Sequence, residues 1–222
     1  MALIAHTGLP TFQRLDTEGY EVLTPDRAAE QDIRELHIGV LNMMPDAALE
    51  ATERQFLRLL ASCNRIVQLY VHLFTMPGIP RSGAALEHVA RHYESYPSLA
   101  AHGLDALIIT GANPVEPDIR DEPYWDSLLQ IMDWADGNVA STLCSCLATH
   151  AAIKQYYSID RVPLAIKRWG VYSHRVVLPE HPLAATINTR FNAPHSRWND
   201  SPSAELDAAG LKVVAVSEEA GV

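Results

Sequence analysis

Residues 139–157 read VASTLCSCLATHAAIKQYY, and this stretch decides the fold. Val139 to Ser145 form an apolar run of strand length, which passes without a loop into a helical pattern from Leu147 to Tyr157. A buried strand that turns directly into a helix is typical of a parallel α/β sheet. Cys146 lies at this turn. We therefore expect Cys146 at the carboxyl edge of a sheet.

Three earlier runs have the same buried-strand character, and they cover Leu36–Met44, Ile66–Phe74 and Leu104–Gly111. Helical patterns alternate with these strands over residues 36–157: Leu49–Cys63, Ala84–Ala101 and Trp125–Met132. The alternation predicts a doubly wound, mostly parallel sheet with helices on both faces. Its carboxyl edge carries NMMP, TGANP and SCLA, so we expect the ligand site there.

The two ends of the chain have a different pattern. After Pro163, strand-like stretches at Arg168–Leu178, Ile187–Ala193 and Leu211–Ser217 predict antiparallel additions to the same domain. At the other end, the first thirty or so residues are polar and show no regular hydrophobic pattern. We predict an irregular N-terminal extension over residues 1–35 and a single α/β domain over residues 36–222.

Composition excludes several classes of function. Acidic residues outnumber basic ones 27 to 17, giving a net charge of −10, which argues against a general affinity for nucleic acid or anionic membranes. The apolar runs are far shorter than the ~20 residues of a membrane helix. The start of the chain lacks a secretory signal pattern, so we expect a cytoplasmic protein. Three cysteines, an odd number, predict free thiols.

A cysteine at a strand-to-helix turn has the surroundings of a nucleophile. The helix dipole and the first N–H groups of the helix stabilise a thiolate, and the N–H of Leu147 is placed to hold an oxyanion. The alternative is that Cys146 is a small buried apolar residue. A metal site with Cys144 and His150 supplies only three ligands, and a Cys144–Cys146 disulfide would be strained. His150 is either a base or a structural histidine.

Several longer segments carry a resemblance to a known family. In chain order they are IGVLNMMP, ERQFLRLL, LDALIITGA, YWDSLLQIMDWA, STLCSCLATHAA, KRWGVYSHRV, APHSRW and SEEAGV. From about Leu36 to Val222, the chain resembles the homoserine O-succinyltransferase family, whose members that use an acetyl donor are called homoserine O-acetyltransferases. The resemblance implies a flavodoxin-like core, similar to that of class I glutamine amidotransferases, with a cysteine nucleophile.

The resemblance implies an activity as well. This is transfer of a succinyl or acetyl group from an acyl-CoA to the hydroxyl of L-homoserine, in methionine biosynthesis. Cys146 matches the family's acyl-thioester cysteine, and Lys167 and Ser196 match its substrate-binding lysine and serine. The implied reaction is ping-pong, through an acyl-enzyme. Acyl-CoA is then a co-substrate, no cofactor or metal is expected, and the resemblance implies a homodimer. Late basic residues would meet the anionic CoA: Lys167, Arg168, Arg175 and Arg197.

The sequence departs from the family pattern at several points. The His-x-Glu pair that holds the family's general base does not occur, and the sequence stops at Val222 within a strand-like pattern, so we expect a truncated form of a longer protein. Asp46 and Ala47 stand where the succinyltransferases have lysines, and His150 stands where glutamine is common. A related hydroxy amino acid is therefore an alternative acceptor.

The sequence leaves both the acyl donor and the reaction class open. The position that shows glycine for succinyl or glutamate for acetyl aligns with Val115, while a shift of one residue places Glu116 there. A cysteine-dependent hydrolase or amidotransferase-like enzyme would use the same turn, and a non-catalytic binding protein would need no base.

Overall fold

The computed structural model describes residues 2–63 and 66–222, which form two compact units over residues 1–148 and 149–222. The elements of the first unit are β1 (Ala2–Ile4), α1 (Pro10–Thr17), β2 (Val22–Leu23), α2 (Pro25–Ala29), β3 (Glu35–Leu41), α3 (Leu49–Ala61), β4 (Gln68–Phe74), α4 (Gly83–His92), α5 (Tyr96–His102), β5 (Ala106–Ile109), α6 (Trp125–Asn138) and β6 (Ser141–Cys144). Helix α7 (Leu147–Tyr157) begins in the first unit and ends in the second. The second unit holds β7 (Val162–Val176), β8 (Arg190–Asp200), α8 (Ser203–Ala208) and β9 (Ala215–Val216).

The first unit is built on a six-stranded sheet in the order β2-β1-β4-β3-β5-β6, with every neighbouring pair parallel. Alternate side chains of β4 serve opposite faces. Leu69, Val71 and Leu73 join a core with Phe12 of α1 and Leu57 of α3. On the other face, the ring of Phe74 stacks near that of Tyr96 in α5. This sheet confirms the predicted mostly parallel α/β class.

The prediction of an irregular extension over residues 1–35 is wrong. Strand β1 lies inside the sheet between β2 and β4, and Leu3 and Ile4 are fully buried. Helix α1 begins with Pro10 at its first turn, where a missing N–H costs nothing, and buries Phe12 and Leu15. Strands β1 and β2 are only three and two residues long, so they carry too little periodicity to be recognised from sequence.

The predicted helix over Ala84–Ala101 is two helices. The chain leaves α4 at Tyr93, and the N–H of Glu94 donates to the carbonyl of Leu73 at 2.8 Å, which ties the break to the end of β4. Helix α5 then begins with Ser95 as its N-cap, whose side chain accepts from the N–H of Ser98. The sheet contact and the new cap together outweigh the continuous helical pattern.

Two further predictions about the C-terminal half need correction. Strand β6 ends the sheet order, and it is exposed rather than buried: Leu143 keeps 55% of its surface. The antiparallel strands are confirmed, but they make their own sheet in the order β8-β7-β9, within the second unit. The predicted single domain over residues 36–222 therefore has different boundaries from the units observed.

Helix lengths and hydropathy bear on membrane insertion. Within residues 2–63 and 66–222, no helix combines the length and the apolar character that crossing a bilayer requires.

Substitution of two glycines, Gly78 and Gly103, distinguishes the cost of backbone strain from the cost of a steric clash. Gly78 and Gly103 have nearly the same φ, 87° and 86°. A Cβ on Gly103 meets nothing within 4 Å, whereas a Cβ on Gly78 would lie 2.5 Å from the carbonyl oxygen of Pro123. We expect Gly103→Ala to cost about 1–3 kcal/mol from the backbone alone, because its φ of 86° and ψ of 156° lie in a region that essentially only glycine adopts. Gly78→Ala should cost about 1–3 kcal/mol more, because backbone cannot move aside as a side chain does.

The measurement is urea unfolding of both variants beside the wild type, followed by circular dichroism. Equal losses for the two variants would contradict the contact between Gly78 and Pro123.

Candidate functional site

Three loops leave neighbouring strands at the carboxyl edge of the parallel sheet. NMMP follows β3, TGANP follows β5 and SCLA follows β6, and these strands are adjacent in the order β3-β5-β6. The N–H of Met43 donates to Thr110 Oγ1 at 2.9 Å, and that hydroxyl donates to the carbonyl of Gly111 at 3.0 Å. Thr110 is buried and joins the first loop to the second. The predicted convergence is therefore observed.

Cys146 occupies the turn between β6 and α7 in a strained backbone conformation. Its φ is +56°, in the left-handed region that non-glycine residues seldom adopt. The N–H of Ser145 donates to Ile109 O at 2.9 Å, which keeps the preceding residue on the sheet until the turn begins. The side chain of Cys146 is exposed, and the thiol is free. Such strain persists only where the surroundings hold it, and it is concentrated at functional sites.

The TGANP loop packs directly on this turn. A Cβ built on Gly111 would lie 3.0 Å from Cys146 Cβ, 3.4 Å from its Sγ and 3.7 Å from the Leu147 nitrogen. Because any larger residue would bring its Cβ too close to Cys146, only glycine at position 111 allows the loop and the turn to pack at van der Waals distance. The amide of Leu147, the first residue of α7, is among those with no acceptor inside the helix. The Leu147 nitrogen therefore lies next to the Cys146 side chain, where the sequence predicts an oxyanion donor.

The other cysteine of the turn has different surroundings. Burial raises the pKa of the Cys144 thiol to about 11, so it stays protonated at neutral pH. Cys146 is exposed while Cys144 is partly buried, and neither forms a disulfide. A reactive thiol needs access to its reagent and an ionised sulfur. The structure therefore favours Cys146 over Cys144 as the nucleophile.

The two residues considered for donor choice lie on a loop that a buried carboxylate holds. Val115 is 76% exposed, and Glu116 is exposed beside it. Their backbone N–H groups both donate to Glu122 Oε1, at 2.8 and 2.9 Å. Glu122 itself is buried. Sequence reasoning missed Glu122, whose only signal is an acidic residue seven positions beyond Val115.

Arg81 is a second residue that the sequence did not indicate. Its guanidinium is almost fully buried beneath the NMMP loop, donating to the carbonyls of Asn42 and Met44. Asp46 pairs with Arg81 at 3.4 Å and accepts from the N–H and hydroxyl of Ser82. Those hydrogen bonds, Ser82 first, lower the pKa of Asp46. Asp46 thus links the NMMP loop to Arg81 and Ser82.

The second unit places Lys167 and Ser196 on one face of its antiparallel sheet. Lys167 Nζ lies 4.8 Å from the ring centre of Trp169, two residues along β7. Trp169 is paired with Ser196 on β8, and paired residues project to the same side. Trp169 is 70% exposed and Ser196 is exposed. The predicted substrate-binding pair therefore shares an open surface that combines an ammonium, a hydroxyl and an aromatic ring.

Two of the basic residues expected to meet CoA are engaged within the second unit. Arg168 contacts Asp200 Oδ2 at 2.7 Å, and Arg197 contacts Asp200 Oδ1 at 3.2 Å. Arg168 also donates to the carbonyl of Ala220, and Arg197 donates to those of Ala220 and Val222. These contacts hold the end of the described chain against β7 and β8, which is a structural role.

His150 lies on α7 in the second unit, with Nδ1 at 3.5 Å from Ser201 Oγ. Burial, then the positive charges of Arg161 and Arg197, lowers the pKa of His150 to about 4. The imidazole is thus neutral at pH 7. A base with so low a pKa accepts protons weakly, which favours the structural alternative for this histidine.

Comparisons with known proteins agree with the resemblance. The sequence model of the homoserine O-succinyltransferase family matches residues 2–222. Three bacterial proteins named homoserine O-succinyltransferase match all of the chain: Methylococcus capsulatus at 59% identity, Methylobacter tundripaludum at 58% and Thiothrix nivea at 57%. The chain spans 62–63% of the length of these relatives.

A solved structure supports the fold alone. A Thermoplasma acidophilum protein assigned as one of the subunits of GMP synthase superposes with a TM-score of 0.51 at 15% identity. The match covers 84% of this chain and 75% of the other.

Gly111 offers a test of the packing around Cys146. We expect Gly111→Ala to cost about 1–3 kcal/mol and to slow alkylation of Cys146 several-fold, because the added methyl displaces the thiol. The rate is measured with iodoacetamide and peptide mass spectrometry. Gly137→Ala is the control, since a Cβ there meets nothing within 4 Å. An unchanged alkylation rate in Gly111→Ala would contradict the close approach.

His150 predicts a pH dependence of stability. Its pKa falls from 6.5 to about 4 on folding, so the unfolded chain binds the proton first and stability is lost as pH falls through that window. The full loss is roughly 3 kcal/mol. We expect urea unfolding at pH 7 and pH 4.5 to show a larger drop for wild type than for His150→Gln. The exposed His102→Gln should behave as wild type, and parallel curves for all three would refute the assignment.

Proposed function

The chain belongs to the homoserine O-succinyltransferase family, and we propose that the protein transfers a succinyl group from succinyl-CoA to the hydroxyl of L-homoserine. One observation carries the proposal: an exposed thiol, Cys146, is held by a left-handed turn at the carboxyl edge of the sheet, beside the first amide of a helix. This is an arrangement for attack on a carbonyl carbon.

The first half-reaction uses the first unit. The Cys146 thiolate attacks the thioester carbonyl of succinyl-CoA and forms a tetrahedral intermediate, whose oxyanion accepts a hydrogen bond from the Leu147 amide. The carbon–sulfur bond to CoA then breaks, CoA leaves as a thiolate, and a succinyl thioester remains on Cys146. Stabilisation of the oxyanion is greatest in the transition state, so a preformed donor raises the rate rather than only the affinity.

The second half-reaction requires recognition of the amino-acid acceptor. In the proposal, the Lys167 ammonium binds the carboxylate of homoserine and Ser196 donates a hydrogen bond to the same substrate. Their shared, exposed face supports this pairing. The homoserine hydroxyl, after losing its proton to a general base, attacks the thioester carbonyl and releases the Cys146 thiolate.

The choice of succinyl rather than acetyl rests on the named relatives, which are succinyltransferases. We assign discrimination between the donors to the loop of Val115 and Glu116, which Glu122 holds through two backbone N–H groups. A rigid loop discriminates between acyl groups better than a mobile loop does, because it cannot rearrange to fit an acyl group of the wrong size. The proposal includes the remaining family traits: a cytoplasmic homodimer that acts in methionine biosynthesis.

The acylation step is testable on its own. Incubation with succinyl-CoA should release CoA and add the mass of one succinyl group to the peptide that contains Cys146. Cys146→Ser should abolish the thioester, whereas Cys63→Ser, which replaces another exposed cysteine, should retain it. Acetyl-CoA should label more slowly. Absence of any adduct on Cys146 would contradict the proposal. If the protein hydrolysed simple esters as fast as it reacts with succinyl-CoA, and formed no acyl-enzyme specific for CoA thioesters, the result would favour a hydrolase.

A further inference from the structure

A cluster of histidines and a glutamate lies apart from the thiol in the first unit. His6 follows β1, His72 is in β4, and Glu94 follows α4. Glu94 Oε1 lies 2.7 Å from His72 Nδ1 and 3.7 Å from His6 Nε2. Strands β3 and β5 separate β4 from β6, whose end carries Cys146. The mechanism proposed above uses none of these side chains.

Hydrogen bonds around the cluster set the tautomer of His6. Its Nδ1 lies 3.0 Å from the carbonyl oxygen of Ile4, and because a carbonyl only accepts, Nδ1 carries the hydrogen. In the neutral ring, Nε2 therefore presents a lone pair toward Glu94. That nitrogen is buried and has no hydrogen-bond partner. A lone pair facing a carboxylate needs a positive charge between them.

The second histidine has a hydrogen-bond partner at the ring nitrogen that does not contact Glu94. His72 Nε2 lies 2.9 Å from His37 Nδ1, and the two rings stack with centres 5.2 Å apart. When Nδ1 of His72 gives up its hydrogen to bind a cation, Nε2 donates to His37. Histidine ligands of metals commonly donate their second N–H in this way, which fixes the ring and raises its basicity.

The donor set is that of a zinc site with an open position. Two imidazole nitrogens and one carboxylate oxygen lie within 4.8 Å of one another. A tetrahedral ion with bonds of about 2.0–2.1 Å separates its ligands by roughly 3.3 Å, so the atoms need to move by about 1 Å or less. Glu94 remains partly exposed, which leaves room for water as a fourth ligand. Imidazole and carboxylate ligands together suit first-row divalent ions.

We propose that His6, His72 and Glu94 bind a divalent transition-metal ion, with Zn²⁺ as the best match and His37 as the outer partner of His72. On binding, the cation takes the place of the hydrogen on His72 Nδ1. The neutral ring keeps one hydrogen on Nε2, where it donates to His37, and any second ring proton is released to solvent. The cation also meets the buried lone pair of His6. The ion would fasten the chain after β1 to β4 and to the break between α4 and α5. This role is independent of acyl transfer.

Cobalt provides a direct test, since Co²⁺ replaces Zn²⁺ and absorbs visible light. Titration of the metal-free protein with Co²⁺ should produce the visible bands of a tetrahedral ion at one equivalent, without the near-ultraviolet band of sulfur ligation. Zn²⁺ should bleach these bands and should raise the melting temperature of the wild type.

Two ligand variants and one control make the test specific. His6→Ala and Glu94→Gln should each weaken Co²⁺ binding at least tenfold and remove the stabilisation by Zn²⁺. Glu94→Gln keeps the size of the side chain, so it remains informative if His6→Ala does not fold. His102→Ala, which removes an exposed histidine of the same unit, should bind as wild type. Absence of visible bands, a sulfur band, or equal affinity in Glu94→Gln would overturn the proposal.

Discussion

The left-handed backbone of Cys146 is the constraint on which the candidate site depends. A φ of +56° is unfavourable for a residue with a Cβ, so the surrounding contacts must hold it. They do so from two sides: the Ser145 N–H donates to Ile109 O in β5, and Gly111 packs so closely that a Cβ built on it would lie 3.0 Å from the Cβ of Cys146. The turn exposes the thiol and brings the first amide of α7 beside it. The position of the Cys146 sulfur is thus fixed jointly by strand pairing, by loop packing and by the start of α7.

Behind the exposed thiol, each neighbouring loop is held by a buried polar side chain. Thr110 joins the loops after β3 and β5, Arg81 supports the loop after β3, and Glu122 fixes the backbone of Val115 and Glu116. Such groups are expensive to bury unless their hydrogen bonds are made, so each restricts its loop to one conformation. The residues proposed for nucleophilic attack and for donor choice can then be exposed without being mobile. The sheet supplies position, and these three side chains supply rigidity.

The sequence predicted the parallel sheet and the place of Cys146, because long apolar runs and an abrupt strand-to-helix change are local signals. It did not predict β1, because a strand of three buried residues is too short to show a hydropathy pattern, even though β1 lies between β2 and β4 in the sheet. Exposure of β6 depends on its place at the end of the sheet order, which no local pattern encodes. Glu122 and Arg81 act through contacts with residues 6–39 positions away, so composition and spacing hid them. Lys167 and Ser196 came from family resemblance, and strand register explains why they share a face.

The most direct measurement is a crystal structure of the protein after reaction with succinyl-CoA. We expect a succinyl thioester on Cys146 Sγ, with its carbonyl oxygen within hydrogen-bond distance of the Leu147 amide and with the φ of Cys146 still positive. Density for the acyl group on another residue, or a Cys146 backbone relaxed to negative φ with its sulfur unmodified, would contradict it.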